Sequence, residues 1–242
     1  MHSIPESYIA EFERELELRG WNLPLAIQQR AGIFFYHLHQ KNQQFNLTGY
    51  QNLPDFLDYH LADTMVLSRI MDPLGGSTLA DVGSGGGVPG MLLKLLHPGW
   101  QVTLLESNQK KARFLEEMGE ILELGDYTVV AGRAEEAAQA PEWREKMDFA
   151  VARALGPLPL ALELTAGFAR VGGWIVLPRG GEEDVSKDAR PEAGEFHCRL
   201  ERVIPYTLPG RNKPFQVAVY EKVAALSEKY PRKPGRIRKR PK

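Results

Sequence analysis

The sequence predicts an α/β fold in which a mostly parallel seven-stranded sheet with an antiparallel C-terminal pair follows an N-terminal helical cap. Hydrophobic residues recur at helical spacing up to about residue 72, and short apolar strands then alternate with helices. The last two strand patterns are joined by a short turn containing Pro and Gly. Alternating β and α units require a parallel sheet covered by helices. The 242 residues suit one such domain with an appendage.

The helical cap is predicted over residues 1–72. Its first helix places Ile9, Phe12 and Leu16 on one face and ends at Gly20. Its second helix begins near Pro24. A polar turn, "QFNLTGYQN", then leads to a third helix through "LPDFLDYHLADTMVLSRIM".

Residues 73–222 carry the alternating pattern. Five strands separated by helices are predicted at "TLADV", "QVTLLE", "YTVVAG", "MDFAVARA" and "GGWIVLPRG". Two more, "FHCRLERVIPYTL" and "FQVAVYEKV", flank the turn "PGRNKP" and are expected to pair in antiparallel fashion. Ligands of such sheets bind at the carboxyl ends of the parallel strands.

Composition excludes several classes of protein. There is no run of eighteen apolar residues, and the start turns acidic where a signal peptide would be apolar, so we expect a soluble, cytoplasmic protein. The single cysteine, Cys198, excludes an internal disulfide and a zinc site built from paired cysteines. The six histidines lack metal-ligand spacing, and no metal site is predicted.

Charge is concentrated at the C-terminal end, where residues 223–242 are predicted to form a basic tail. Removing the eight cations of the last fourteen residues from the 30 basic residues leaves 22 against 31 acidic ones. A cationic tail on an acidic body favours a polyanionic partner, and a solvated tail without a partner is the alternative. The cations are Lys229, Arg232, Lys233, Arg236, Arg238, Lys239, Arg240 and Lys242.

The segment "LADVGSGGGVPGMLL" follows the first predicted strand and contains a glycine-rich loop. Glycines allow positive φ and a close approach of the backbone to a ligand, and Gly85, Gly87 and Gly90 match the spacing of a dinucleotide loop. Asp81, however, is expected at the mouth of the loop, where a carboxylate would repel a pyrophosphate and attract a cation. Asp81 with Gly83, Gly85 and Gly87 therefore favours S-adenosylmethionine, which carries a sulfonium and no phosphate.

Three later positions supply candidate cofactor contacts. Glu106 ends the second strand, where a carboxylate can accept hydrogen bonds from both ribose hydroxyls. Ala134 and Glu135 follow the third strand and are candidates to line the adenine, although the helix dipole explains an acid there almost equally well. Arg153, at the end of the fourth strand, is expected on the edge that faces the ligand.

The residues also limit the methyl acceptor. Amine methylation typically uses a polar-Pro-Pro-aromatic turn after strand four, and this sequence has "ARALGP" there. Cys198 lies in a late strand without a base nearby, which does not suit carbon methylation of a pyrimidine. No lysine and acid can be placed to deprotonate a sugar hydroxyl. An acceptor that is already a nucleophile and has no proton to lose remains, and N7 of guanine fits that description.

Seven segments together resemble one known family, the bacterial small-subunit ribosomal RNA methyltransferase G, also called glucose-inhibited division protein B. They are "NLTGY", "HLADT", "DVGSGGGVPG", "LLESNQKKARFL", "GRAEE", "VARA" and "YPRKPGRIRKRP". The resemblance implies a class I, Rossmann-like, S-adenosylmethionine-dependent methyltransferase with a helical N-terminal cap. It also implies methyl transfer to N7 of guanine 527 in the 530 loop of 16S rRNA, with 16S rRNA or the small ribosomal subunit as partner.

Carried over by position, the resemblance extends the set of cofactor contacts. The residues that it places against the cofactor or at the border of its pocket are Gly83, Val88, Glu106, Ser107, Asn108, Ala134, Glu135 and Arg153.

The resemblance also suggests residues that act on the acceptor, without a firmly assigned catalytic residue. His60, Asp63 and Arg153 are positioning candidates, although packing explains His60 and Asp63 equally well. Thr64 stands where the family often has serine, and its hydroxyl can still donate and accept. Arg211, in the last turn, is a candidate RNA contact, with an ordinary exposed turn residue as the alternative.

Three other functions remain open from the sequence. The chain is alternatively a methyltransferase of a small molecule or protein, a nicotinamide-dependent dehydrogenase, or a non-catalytic ribosome assembly factor that keeps a cofactor for stability. The basic tail argues against the first, and Asp81 argues against the second.

Overall fold

The N-terminal cap has the predicted three helical stretches in a computed structural model, which describes residues 4–50, 52–180, 185, 194–211 and 213–233. The stretches are α1 (Glu6–Leu18), α2 (Leu25–Asn42), and a third formed by α3 (Leu53–Asp55), a π-helical turn (Phe56–Leu61) and α4 (Ala62–Met71). Phe12 and Leu16 are buried, and Gly20 has a φ of 66° just after α1. A 3₁₀ turn, Asp72–Leu74, leads into the sheet.

The sheet has seven strands in the order β3-β2-β1-β4-β5-β7-β6, which confirms the predicted fold class. The first five strands are parallel, whereas β7 pairs antiparallel with both β5 and β6. The strands are β1 (Thr78–Val82), β2 (Gln101–Glu106), β3 (Tyr127–Ala131), β4 (Met147–Val151), β5 (Ala169–Gly180), β6 (Cys198–Tyr206) and β7 (Phe215–Lys222).

Helices cover both faces of the sheet, because residues of each strand alternate between two hydrophobic clusters. In β1, Leu79 faces the cluster shared with the cap, whereas Ala80 and Val82 face the other. The crossover helices are α5 (Gly90–Leu96), α6 (Gln109–Ile121), α7 (Ala134–Ala137) and α8 (Leu158–Ala166). The cap shares its core with α5 and α6, so it lies over the half of the domain that contains the glycine loop.

The chain beyond β7 continues to pack against the body of the molecule as far as Arg232. The Arg144 guanidinium donates to the carbonyl of Leu226 at 2.9 Å, and Tyr230 is buried. Arg232 forms a two-pronged ion pair with Glu163, whose side chain is fully buried on α8. The segment from Leu226 to Arg232 therefore packs against the body of the molecule, and the predicted boundary after residue 222 stays a prediction.

No helix among the described residues is long and apolar enough to cross a membrane.

Candidate functional site

The glycine loop, residues 83–89, connects β1 to α5 at the carboxyl edge of the sheet. Gly83, Gly85 and Gly87 have φ values of 77°, 57° and 94°, which L-residues with side chains rarely adopt. The backbone N–H of Gly83 donates to the carbonyl of Leu105 at 2.9 Å, which ties the loop to the end of β2. A Cβ on residue 83 would lie 2.5 Å from Cδ1 of Leu155, so Leu155 would have to shift, and the positive φ disfavours a side chain in any case.

Part of the loop packs against the cap. A Cβ on Gly87 would lie 3.3 Å from the Phe34 ring, and one on Gly86 would lie 3.1 Å from Leu38. Val88 packs against the same cluster. Gly85 differs, because the nearest atom to its Cβ position is the carbonyl oxygen of Gly83 at 3.9 Å. Gly85 is therefore the glycine with most room for a ligand, and the others chiefly allow packing.

Asp81 lies beneath the loop, which corrects the expectation that it stands at the loop's mouth. Its side chain is 1% exposed, and Oδ2 accepts a hydrogen bond of 2.9 Å from the N–H of Gly90, the first residue of α5. Burial raises the pKa of Asp81 to about 7, and the Gly90 hydrogen bond opposes that rise. A carboxylate on this N–H leaves no place for a pyrophosphate, which dinucleotide folds bind at the corresponding helix N-terminus. Asp81 thus positions the loop and disfavours a dinucleotide.

Glu106 joins the glycine loop to the start of α6. Its Oε2 accepts from the N–H of Gly85 at 2.9 Å, and Oε1 accepts from the N–H of Asn108 at 2.6 Å. The Asn108 side chain accepts from the N–H groups of Lys110 and Lys111 and so caps α6. Each Glu106 oxygen keeps a second lone pair for a ligand hydroxyl.

A cavity of about 190 Å³ opens between the carboxyl ends of β1, β2 and β3. Leucine side chains form much of its wall, and Ser107 and Glu135 supply polar groups. Apolar walls suit the faces of an adenine, and acceptors at the edge suit its exocyclic amine and the ribose hydroxyls. The sequence-predicted residues that line this cavity are Gly83, Ser107, Ala134 and Glu135.

Arg153 is the centre of a network that joins the cap to the sheet. Its Nε lies 3.0 Å from Oδ2 of Asp63, and its Nη1 lies 2.7 Å from Nδ1 of His60. Because a guanidinium only donates, Nδ1 of His60 accepts, and the imidazole proton lies on Nε2. Nε2 then donates to Oγ1 of Thr48 at 2.7 Å. Asp63 also accepts from the hydroxyl of Tyr206 on β6. We call these five residues the Arg153 network.

Burial sets the protonation of this network. Desolvation, followed by the charge of Arg153, lowers the pKa of His60 well below its usual value, so the imidazole is neutral. Desolvation raises the pKa of Asp63, and Arg153 and the Tyr206 hydroxyl oppose that rise. Desolvation also raises the pKa of Tyr206. Asp63 therefore stabilises the guanidinium by charge, and His60 orients it as a neutral acceptor.

A second cavity, of about 350 Å³, lies over the ends of β4 and β5. Asp63, Arg153 and Tyr206 line it, together with Arg179 and Phe215. We call it the acceptor cavity, as the candidate site for the methyl acceptor, because it is the larger of the two and has both cationic and aromatic walls.

The loop after β4 separates the two cavities. Leu155 lines the smaller one, whereas its neighbours Ala154 and Gly156 line the acceptor cavity. Ala154 has a φ of 55°, a left-handed conformation that costs a residue with a Cβ about 1–2 kcal/mol. Backbone strain of this kind is concentrated at functional sites.

The predicted RNA contacts are distributed unevenly. Lys229 and Lys233 are exposed, and Arg211 is exposed in the turn before β7. Arg232 forms an ion pair with buried Glu163, which makes it an anchor of the C-terminal segment, and its contact with RNA stays a prediction. Arg236, Arg238, Lys239 and Arg240 lie outside the described residues.

Sequence reasoning missed several residues of the site. Thr48 lies in "NLTGY", one of the segments that carry the family resemblance. That segment is the feature of the sequence from which Thr48 could have been predicted as a site residue. Tyr206, Arg179 and Phe215 come from strands whose alternation predicts burial but not a site. Cys198 is buried, and burial raises the pKa of its thiol to about 12, so it does not serve as a thiolate nucleophile.

The fold and the site define a class I S-adenosylmethionine-dependent methyltransferase. The strand order, the glycine loop after β1 and the carboxylate at the end of β2 fit this donor, and the Asp81 carboxylate on the Gly90 N–H does not fit a dinucleotide.

Two solved structures share the fold. A candidate sarcosine dimethylglycine methyltransferase from Galdieria sulphuraria has a TM-score of 0.52 and 15% identity, over 69% of this chain and 87% of that one. A candidate RNA methyltransferase from Pyrococcus horikoshii has a TM-score of 0.50 and 15% identity, over 78% and 98%.

The family is identified by sequence. The family model described as rRNA small subunit methyltransferase G matches residues 27–212, and the chain belongs to this family. A ribosomal RNA small subunit methyltransferase G from Caldanaerobacter subterraneus is 34% identical over 208 residues, which cover 86% of this chain and 87% of the relative. One from Acetivibrio thermocellus is 33% identical over 239 residues, covering 95% and 98%. Membership removes the dehydrogenase alternative.

Proposed function

We propose that this protein transfers the methyl group of S-adenosylmethionine to N7 of guanine 527, in the 530 loop of 16S rRNA. The observation that carries the proposal is the Arg153 network at the acceptor cavity. His60 and Asp63 are committed there to hydrogen bonds with Arg153, so neither is placed to remove a proton from a substrate. Guanine N7 needs no such base, because it has a lone pair and no proton.

The chain's residues contribute mainly by positioning. S-adenosylmethionine supplies an electrophilic methyl group on a sulfonium. The 190 Å³ cavity holds its adenine, and Glu106 accepts from its ribose hydroxyls. On the other side of the loop after β4, the Arg153 guanidinium donates to O6 of guanine, the acceptor adjacent to N7. Asp63 and His60 fix the direction of that donation.

We propose three parts for the chain. Residues 1–72 are the helical cap, and the methyltransferase domain of residues 73–222 is completed by the docked segment 223–233. Basic residues beyond 233 neutralise RNA phosphates together with exposed Lys229 and Lys233.

Transfer of a labelled methyl group tests the substrate class. Purified protein is incubated with labelled S-adenosylmethionine and 16S rRNA, small ribosomal subunits, total protein or a metabolite extract. We expect label in the 16S rRNA or the subunits, and Arg153→Ala to reduce it at least tenfold while cofactor affinity is kept. Label chiefly in protein or metabolites contradicts the proposal. Cofactor binding without transfer to any fraction supports a non-catalytic assembly factor instead.

A further inference from the structure

Arg211 is the outer layer of a stack that the proposed function does not use. Its Cζ lies 3.7 Å from the centroid of the Tyr59 ring. Beneath it the rings of Tyr59 and Tyr50 are stacked, with centroids 4.7 Å apart and planes 13° from parallel. Arg211, Tyr59 and Tyr50 are called the Arg211 stack here. The Arg211 guanidinium, the Tyr59 ring and the Tyr50 ring follow one another in contact, and the outer side of the guanidinium suits a further flat group.

The Arg211 stack is fixed from below. Tyr59 is only 6% exposed and shares a hydrophobic cluster with Leu208. The N–H of Arg211 donates to the Leu208 carbonyl at 3.1 Å, so this turn holds the backbone of Arg211 over the ring. Arg211 itself is exposed. One side of its guanidinium therefore covers Tyr59 while the side chain remains open to solvent.

Two sets of side-chain contacts connect the Arg211 stack to the acceptor cavity. Tyr206 and Phe215 line that cavity and also pack against the Tyr59 cluster. Tyr50 meets the ring of His60 edge to face, with centroids 4.7 Å apart, and His60 holds Arg153. A nucleotide that follows or precedes a base in the acceptor cavity would therefore lie within reach of the stack.

We propose that the Arg211 stack binds an unpaired nucleobase of the RNA substrate, next to the guanine that occupies the acceptor cavity. This inference rests on the proposed function. Proteins recognise unpaired RNA bases by stacking them on aromatic rings and on arginine planes, and the cation of Arg211 favours a polyanion. The planar guanidinium is essential to this role, because a lysine would serve a phosphate contact but offers no plane for a base. The predicted RNA contact of Arg211 is thereby a contact with a base.

Arg211→Lys and Arg211→Ala test the proposal, with Lys213→Ala as a matched control for an exposed cation in the same turn. Steady-state methyl transfer to 16S rRNA gives kcat and KM, and calorimetry gives cofactor affinity. We expect both Arg211 variants to raise KM for RNA roughly tenfold, with kcat and cofactor affinity unchanged. Lys213→Ala is expected to change KM less than about threefold. An Arg211→Lys variant that matches the wild type overturns the proposal, because charge alone would then suffice.

A binding measurement separates this inference from the proposed function. The probe is a single-stranded RNA oligonucleotide copying the 530 loop, with fluorescent 2-aminopurine at either neighbour of the target guanine. We expect the wild type to change the fluorescence of the probe at one neighbour, where the base leaves its RNA neighbours for Arg211, and both Arg211 variants to lose that change. If the wild type binds cofactor but methylates no rRNA, the proposed function fails, and the probe still tests the Arg211 stack. An equal change for the wild type and the Arg211 variants, or no change for any of them, overturns the stack proposal.

Discussion

The Asp81 carboxyl is fully enclosed beneath the glycine loop, where burial raises its pKa to about 7. In the unfolded chain an aspartate has a pKa near 3.9. Between about pH 4 and pH 7 the folded state therefore binds more protons than the unfolded state. It follows that Asp81 lowers the free energy of unfolding as pH rises through this window.

Asp81→Asn is expected to remove that pH dependence. Asparagine still offers an oxygen to the Gly90 N–H but does not ionise. Urea unfolding of both proteins from about pH 4 to pH 8 gives the difference in stability at each pH. We expect the variant to gain stability relative to the wild type as pH rises to about 7, with no further change above it. A constant difference across the range would show that Asp81 ionises normally.

Glu106 has two roles that substitution can separate. Glu106→Ala is expected to weaken S-adenosylmethionine binding by about 1.5–3 kcal/mol, because the ribose loses a charged acceptor. Glu106→Gln keeps one oxygen for the N–H of Gly85 or Asn108, so it preserves more of the loop and loses less affinity. Calorimetry measures both, with thermal unfolding as a check on the fold. Unchanged affinity in Glu106→Ala would remove this residue from the cofactor site.

At the scale of elements, the Arg153 network joins the cap, β4 and β6. Thr48, in the loop after α2, accepts the hydrogen bond from Nε2 of His60 and so holds the ring in place, and the π-helical turn carries His60 to meet it. The extra residue of a π-helical turn often occurs at functional sites. Thr64 donates its hydroxyl to the carbonyl of His60 at 2.7 Å, which accounts for its place in the segment "HLADT".

Thr48→Val and Thr48→Ser form a matched pair for this network. Valine leaves the buried Nε2–H of His60 unpaired, at a cost of about 1–3 kcal/mol, and frees the imidazole to turn away from Arg153. We expect Thr48→Val to lower kcat roughly tenfold with cofactor affinity unchanged, and Thr48→Ser to restore it. Single-turnover kinetics provide the measurement. Equal rates for the two variants would mean that the hydroxyl does not position Arg153.

Two truncations separate the packed C-terminal segment, up to residue 233, from the basic residues that follow it. Ending the chain after Lys222 removes the partner of buried Glu163, so we expect a less stable protein, whereas ending it after Lys233 keeps that partner. The longer of the two truncated proteins is expected to keep cofactor affinity and to flatten the salt dependence of RNA binding. Its slope should fall by roughly 0.7–0.9 for each phosphate that the protein no longer neutralises. An unchanged slope contradicts a role for the residues beyond 233.

Arg232→Ala checks the anchor itself. It leaves the Glu163 carboxylate buried without its cation, and we expect a decrease of roughly 2–3 kcal/mol in the free energy of unfolding. Thermal or urea unfolding measures it. A decrease below about 0.5 kcal/mol, typical of a surface substitution, would contradict the anchoring role.

At the scale of the whole molecule, local pattern predicts the fold but only part of the site. The spacing of hydrophobic residues and the placement of glycines are patterns within short stretches of sequence, so the three cap helices and the seven strands can be predicted from them. The meeting of Thr48 and Tyr206 around Arg153 depends on how the cap lies over the sheet, which no local pattern encodes. The predicted position of Asp81 is wrong for a similar reason, because the sequence shows its distance from Gly83 but not that it turns inward to Gly90. The anchoring role of Arg232 is also not visible in the sequence, because Arg232 has the same charge as the basic residues around it.

The whole molecule brings two cavities to opposite sides of one loop, residues 153–156, and we propose that the smaller holds the methyl donor and the larger the methyl acceptor. Mapping the methylated atom after reaction with purified protein and S-adenosylmethionine tests this arrangement most directly. Both 16S rRNA and small subunits serve as substrates, and strand cleavage specific for 7-methylguanine locates the product. We predict one methyl group per rRNA, at N7 of guanine 527. Methylation of another atom or another nucleotide would contradict the account.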